Sequence, residues 1–334
     1  MAENKRFFYG WLILLTCILI MGLGYAPLVS CASLFTKPVT EDLGFTRSGY
    51  ALVSTIAALM MAFMSPFIGK IMSKPYMHKA LVVCMIGNCL AYYCYSFAST
   101  LPQFYVTAAC IGFFECGSTM IPVSVLITNW FRKKRGLVMS IAMVGSSIGG
   151  TILSPIIGNL IASQGWRFTY KAVGITRLVI LVPLVLLVIR RTPADMGTKA
   201  YGADEEGETG KARKTEREWN VSLKEVKKKP MFWCFVLGCT LISATAAVIT
   251  QIPASVMDAG YATTTAASIA SLYLFIAIPG KLVLGHIYDR YGVKAGILFG
   301  NTMFFLSVIC LIFIKHQPFL YLMAILFGFG TCIG

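Results

Sequence analysis

Charge is scarce in this chain. Only 13% of its 334 residues are Asp, Glu, Lys or Arg, and acids are scarcer still, 14 against 29 basic residues. Histidine occurs three times, as His78, His286 and His316, each at a loop edge and apart from the others. No nucleophile–base pair and no metal-ligand constellation can be assembled from them, so neither enzyme chemistry nor a metal or other cofactor is expected. Eleven cysteines include no Cys-x-x-Cys pair. Those at Cys17, Cys84, Cys89, Cys110, Cys239 and Cys310 lie in apolar segments, where a free thiol behaves as a small buried hydrophobe. Nothing resembles a selectivity filter, which argues against a channel. A cleavable signal is also missing: Lys5 and Arg6 precede an apolar run too long for one, and no small-residue cleavage site follows.

What the chain has instead is apolar length. With 57% hydrophobic residues and a mean hydropathy of +0.73, a soluble domain of this size could not cover its apolar surface, so part of it must face lipid. Ten long apolar segments run at approximately 8–33, 48–70, 79–99, 102–129, 137–163, 170–189, 231–256, 264–287, 294–314 and 318–334. A bilayer crossing takes about 20 apolar residues as helix. The first nine are long enough; the last covers only about 25 Å at 1.5 Å per residue. The fold class expected is an all-α membrane protein. Its domains are a six-helix bundle over 1–190, a linker over 191–230 and a second bundle over 231–334 truncated in its tenth helix. The linker mixes acids (Asp204, Glu205, Glu206, Glu208) with bases (Lys211, Arg213, Lys214, Arg217) and lacks apolar mass. Ser222 with Glu225 makes a capping-box pattern before the seventh segment.

The net charge of +15 is not gathered on one face, so nucleic acid is not an expected partner. The basic residues fall at alternate loops: Lys5 and Arg6, Lys70 to Lys79, the run Arg132-Lys133-Lys134-Arg135, the linker, and Arg290 with Lys294. The opposite loops are short and nearly neutral. The positive-inside rule therefore places the N-terminus and the central loop in the cytoplasm of a multi-pass protein of the cell membrane.

One loop carries a family signature. After the eighth segment stands Gly285-His286-Ile287-Tyr288-Asp289-Arg290-Tyr291-Gly292-Val293-Lys294. It resembles the G-x-x-x-D-R-x-G-x-[KR] loop that the major facilitator superfamily carries between its second and third helices and again between the eighth and ninth. The equivalent place in the first half, Gly69-Lys70-Ile71-Met72-Ser73-Lys74-Pro75-Tyr76, keeps the leading glycine and a base but has Ser73 where the family has Asp. Recurrence of a similar loop after the second helix of each half is the internal repeat of that fold. Further stretches narrow the resemblance to the oxalate/formate antiporter and monocarboxylate transporter branch: Asn129 to Gly136, Gly145-x-x-x-Gly149-Gly150, Pro155-x-x-Gly158, Gly165-Trp166-Arg167, Arg190 to Gly197, and Met231-Phe232-Trp233. Small residues at the spacing of Gly145 and Gly149 predict close packing of the fifth helix on a neighbour.

The resemblance implies two six-helix bundles with about 10 of 12 helices present, and transport of small organic anions by alternating access, as antiporter or proton symporter. Within that branch the eighth helix carries a cation at the place of Lys281, usually Arg, that pairs with the substrate carboxylate. In the oxalate/formate exchangers the eleventh helix supplies a second cation, so a chain ending in its tenth helix is expected to hold part of a site and not to transport. Asp289, Arg290, Gly285, Gly292 and Gly69 would form the conformational-gate loops.

Ionisable residues within spans are costly, by about 2.5–3.5 kcal/mol or more, and each is a functional hypothesis. Lys281 either binds the anion or snorkels, since only about 12 Å of helix separates it from Asp289. Glu115, about 20 Å of helix beyond Pro102, either loads and releases a proton or fills a polar gap between helices. Arg177 is expected on a peripheral, lipid-lining sixth helix, snorkelling or paired with a neighbouring helix. Tyr25, Tyr273, Gln251 and Thr55 are weaker candidates to donate hydrogen bonds to a carboxylate. The expected partners are a small organic anion and the bilayer, with the chain a monomer; efflux of drugs or other small solutes is the alternative on the same fold.

Overall fold

The computed structural model describes residues 8–202, 223–246, 256, 259–261 and 263–333, and the chain divides after Tyr201 into two compact units. The described residues are nearly all helical, with no strand beyond one isolated parallel bridge between Phe131 and Tyr201. In the first unit, α1 (Gly10–Leu19) runs through a π-helical turn (Ile20–Tyr25) into α2 (Ala26–Val29) and α3 (Ser33–Leu43). There follow α4 (Arg47–Met72), α5 (Met77–Cys94), α6 (Leu101–Ser118), α7 (Met120–Trp130) and α8 (Arg135–Val188). The second unit holds α9 (Leu223–Val226), α10 (Pro230–Ala246), α11 (Thr263–Tyr291), α12 (Val293–Ile312) and α13 (Gln317–Gly330).

Seven helical runs among the described residues are long and apolar enough to cross a membrane: Gly10–Leu43, Arg47–Met72, Met77–Phe97, Leu101–Trp130, Arg135–Val188, Ser271–Tyr291 and Val293–Ile312. Helix α8, at 54 residues, is more than twice the length one crossing needs, and it breaks at Gly165 (φ 80°, ψ 164°) into the expected fifth and sixth spans. A side chain at that φ would be strained, so glycine is required. The shorter apolar α13 occupies the place of the tenth segment. The seventh segment is seen as α10, and its residues 247–255 lie outside the described residues, as does Ser222 of the capping-box pattern.

The structure extends the first helical run beyond the expected boundary near residue 33. Helix α3 continues to Leu43 because Phe35 and Val39, four apart, share one buried face, and Phe35 stacks on Tyr170 at 4.0 Å. Lys37 and Glu41 pair at 3.8 Å on the exposed side. Gly44, at φ 65°, then ends the helix, and the Thr46 hydroxyl accepts the Gly49 amide to start α4.

Two apolar clusters hold the first unit. One gathers Ile13, Cys17, Met72, Met77, Leu81, Met85, Trp130 and Phe131; the other is aromatic, built on Phe35, Tyr92, Tyr95, Phe104, Trp166 and Tyr170. Trp166 donates to an Asp42 carboxylate oxygen at 3.0 Å, and Arg167 lies over the Trp166 ring while donating to the Ser96 and Ala98 carbonyls. This explains the Gly165-Trp166-Arg167 stretch: the break frees the chain, and the next two side chains fasten it to α3 and to the end of α5. The second unit packs on Ile269, Tyr273, Cys310, Leu320, Met323 and Phe327.

The small-residue stripe of α8 does what its spacing requires. A Cβ added to Gly149 would stand 2.2 Å from the Gly22 carbonyl oxygen, and one added to Gly145 2.3 Å from that of Ile18. The first arm of α8 therefore lies backbone to backbone against α1 and its π-turn. Gly158, on the same arm, faces nothing within 4 Å. Gly149→Leu is expected to destabilise the detergent-purified protein by at least about 2 kcal/mol through overpacking, and Gly158→Ala by less than about 0.5 kcal/mol. Thermal unfolding of the two variants, monitored by size-exclusion, checks the contrast; equal losses would contradict the close-contact account.

Candidate functional site

The ionisable residues that hydropathy alone could only locate along the chain fall into distinct settings. In the first unit the second arm of α8 carries Arg177, which is 2% exposed. It does not face lipid, and the expectation of a lipid-lining position is corrected; the expectation of a partner on a neighbouring helix holds. Its Nη2 donates to the Gly24 carbonyl on the π-turn at 2.8 Å and to Asn88 Oδ1 on α5. Its guanidinium lies 5.0 Å from the Tyr92 ring centroid. A guanidinium stays charged in any protein environment, so it must find oxygen acceptors and a π face where water is absent.

Those acceptors come from local sequence. A π-turn shifts the backbone ladder from i−4 to i−5 pairing, and the Ile20–Tyr25 turn presents the Gly24 carbonyl to Arg177. Asn88 is a wholly buried amide within the apolar α5. Neither Asn88 nor Tyr92 was singled out from the sequence, although a buried asparagine in an apolar helix is a signal that a buried charge needs serving.

Glu115, on α6, is 6% exposed and lies within electrostatic reach of Arg177 and of Tyr25. Among the described residues its Oε1 has no hydrogen-bond partner; neither do Asn88 Nδ2, Tyr92 Oη, and the Nε and Nη1 of Arg177. The structure thus places Tyr25 and Glu115 within electrostatic reach of each other, and adds an Arg–Asn–carbonyl node. Thr55 is exposed and bonds within its own helix at 3.4 Å.

In the second unit Lys281 is half-buried on α11. It lies within electrostatic reach of Cys332, just beyond α13, whose thiol sits against the Gly328 and Ala277 carbonyls. Lys281 thus lies on the part of α11 that packs near the end of α13. Tyr273 lies eight residues earlier on the same helix, buried in the core with its ring edge-on to Phe327 at 5.5 Å. Gln251 lies outside the described residues.

The loop residues divide in the same way. Gly285 is buried, while Asp289 and Arg290 are exposed at the end of α11, Arg290 lying over the Tyr291 ring. Gly292, at φ 84°, starts α12 in a conformation that favours glycine. The Tyr288 ring seats on Gly296, where a Cβ would come within 2.1 Å of it. In the first half, Gly69 is half-buried with open space beside it. Ser73, in the place of the acid, presents its backbone carbonyl to the Arg191 guanidinium at 2.9 Å. The segment after α8 is fastened at several points: Trp130 Nε1 donates to the Arg190 carbonyl, Asn129 to that of Arg191, and Tyr9 to that of Val188.

Described residues that are nearly all helical, with apolar helices of membrane-crossing length and charges buried among them, define the class of multi-pass helical membrane proteins. The family model of the Major Facilitator Superfamily matches residues 12–334, and the chain belongs to that family. It is 23% identical to human monocarboxylate transporter 2 over 229 residues, which are 67% of this chain and 45% of that protein. It is 26% identical to the MFS-type transporter pytF of Aspergillus terreus over 209 residues, 62% of each. The chain thus spans roughly half the length of the curated relatives it matches. A crystal structure of a bacterial homologue of the human lysosomal transporter Spinster, inward-facing and unoccupied, aligns with a TM-score of 0.64 at 16% identity. That alignment covers 99% of this chain and 75% of the other. At that identity the likeness speaks to the fold.

Removing Arg177 strands the Gly24 carbonyl and the Asn88 oxygen, whereas Glu115 already has an unpartnered oxygen. Arg177→Ala is expected to cost at least about 2 kcal/mol of stability, and Glu115→Gln less than about 1 kcal/mol. Thermostability of both purified variants tests this, and a tolerated Arg177→Ala would contradict the described role of the node.

Proposed function

We propose that this protein is a secondary transporter of small organic anions, mono- or dicarboxylates, working by alternating access. The observation that carries the reading is Lys281, a half-buried cation on an apolar helix of a chain whose relatives include proteins named monocarboxylate transporters. A cation in such surroundings is retained only with a counter-charge or a function, and attraction to an anion grows as water is excluded. Lysine supplies a compact point charge without the bidentate fork of arginine, which suits a small anion bound through one oxygen.

Exchange follows from the same charge. A bound anion adds a negative charge beside Lys281 and lowers the cost of carrying that cation through the closed state, so the loaded carrier crosses more readily than the empty one. Antiport needs no further energy source. Glu115 offers a second route: a carboxyl that accepts a proton in one state and gives it up in another would couple anion uptake to a proton. Tyr25, beside Glu115, and Tyr273, on the helix of Lys281, are the aromatic hydroxyls that would orient the substrate; Gln251 completes the proposed set. Asp289, Arg290, Gly285, Gly292 and Gly69 are proposed as the gate loops, with the N-terminus and the central loop cytoplasmic in the cell membrane.

Lys281→Gln is expected to abolish uptake of labelled lactate and oxalate by proteoliposomes carrying the intact protein, with expression and unfolding temperature unchanged. Uptake equal to that of the unaltered protein would overturn the assignment of Lys281. Saturable transport of a cationic or neutral solute, indifferent to Lys281→Gln, would favour efflux of other small solutes.

A further inference from the structure

Among the described residues of the first unit, Glu115 and Arg177 are the buried acid and the buried base, yet Arg177 spends its Nη2 on the Gly24 carbonyl and Asn88. Its Nε and Nη1 and the Glu115 Oε1 have no hydrogen-bond partner among the described residues, although the two groups lie within electrostatic reach. The other ionisable groups around Glu115 are Tyr25 on the π-turn, Tyr95 beyond α5 and Cys116 beside it on α6. Of the other helices packed there, α4 carries its charges near its ends (Arg47, Lys70), α5 in its first turn (His78, Lys79), and α7 has none. Among the described residues in reach, Arg177 is therefore the cation available to Glu115.

The two protonation states of Glu115 make different demands. The neutral acid asks only for hydrogen bonds. Loss of the proton leaves a buried charge, which is retained only when paired. Pairing through the unpartnered Nε or Nη1 draws the guanidinium towards α6 and pulls on the contact that Nη2 holds at the π-turn. A π-turn is a local departure from the regular helix ladder, of the kind found frequently at functional sites. The Ile20–Tyr25 turn is also the stretch on which α8 packs through Gly149 and Gly22.

We infer that Arg177 is a positioning residue that passes the protonation state of Glu115 to α1, by moving between the Gly24 carbonyl and the Glu115 carboxylate. The inference rests on the proton-coupling reading of Glu115. The proton released goes to water on the side to which the carrier is open, and no bond other than O–H is broken. Arg177 need not touch the transported anion. Its part is to make occupancy by a proton felt at the π-turn of α1, where Tyr25 stands.

Two measurements on the purified intact protein test this together. Infrared difference spectroscopy follows the carboxyl band that Glu115→Gln removes, and hydrogen–deuterium exchange follows the peptide spanning 18–26, corrected for intrinsic chemical exchange. Exchange at 18–26 is expected to change as the band titrates in the unaltered protein, to be flat in Glu115→Gln and in Arg177→Gln, and to recover in part in Arg177→Lys, which keeps the charge. An unchanged response in Arg177→Gln overturns the inference. Should that variant not fold, a response in Glu115→Gln equal to that of the unaltered protein overturns it as well. A band that titrates while 18–26 does not follow removes the inference alone; absence of any titrating Glu115 band removes the proton-coupling reading and the inference with it.

Discussion

A guanidinium that cannot lose its charge sits inside an apolar bundle, and the first unit is arranged to receive it. Arg177 reaches a backbone carbonyl on α1's π-turn, an amide on α5 and an aromatic face on the same helix. Without water, those oxygens are what makes its burial affordable. The requirement spreads outward. The π-turn must stay irregular to offer the Gly24 carbonyl, and the second arm of α8 must lie close enough to reach it, while the first arm is held on the same stretch by Gly145 and Gly149 against the backbone of α1. The aromatic cluster around Tyr170 then fixes the second arm of α8 against α3 and α5.

Which parts of this were legible in the sequence follows from what hydropathy measures. Apolar length marked the spans, and the break between the fifth and sixth was readable because Gly165-Trp166-Arg167 interrupts a run otherwise fit for helix. The superfamily was legible in the ten residues from Gly285 to Lys294. Facing was not legible. Helices apolar all round carry little periodicity to say which side meets protein and which meets lipid, so Asn88 was passed over, and Arg177 was expected outward because the sixth helix of the resembling fold is usually peripheral. The extension through α3 was missed for the opposite reason. Apolar length runs out near residue 33, where charges begin at Lys37, although Phe35 and Val39 carry an i, i+4 face.

The departures from the family pattern also acquire physical content. Ser73 replaces the acid of the first-half loop, and the loop is instead met through its backbone by Arg191, from the segment that follows α8. That segment is further tied to Trp130, Asn129 and Tyr9. A side-chain ion pair responds to the charge of its partner, whereas a carbonyl accepting from arginine does not. The first-half loop is therefore fastened in a way insensitive to carboxylate chemistry, while the second-half loop keeps its Asp289 and Arg290 exposed at a helix end.

We propose that a half-buried cation, Lys281, makes this superfamily member a carrier of small carboxylates. Trans-stimulated counterflow tests it most directly: proteoliposomes of the intact protein are preloaded with unlabelled oxalate, formate, lactate or pyruvate and offered the labelled compound outside. The account predicts saturable accumulation of at least one labelled carboxylate, faster with internal carboxylate than with buffer alone. Uptake of all four no greater than in protein-free vesicles, with counterflow of a neutral or cationic solute instead, would contradict it.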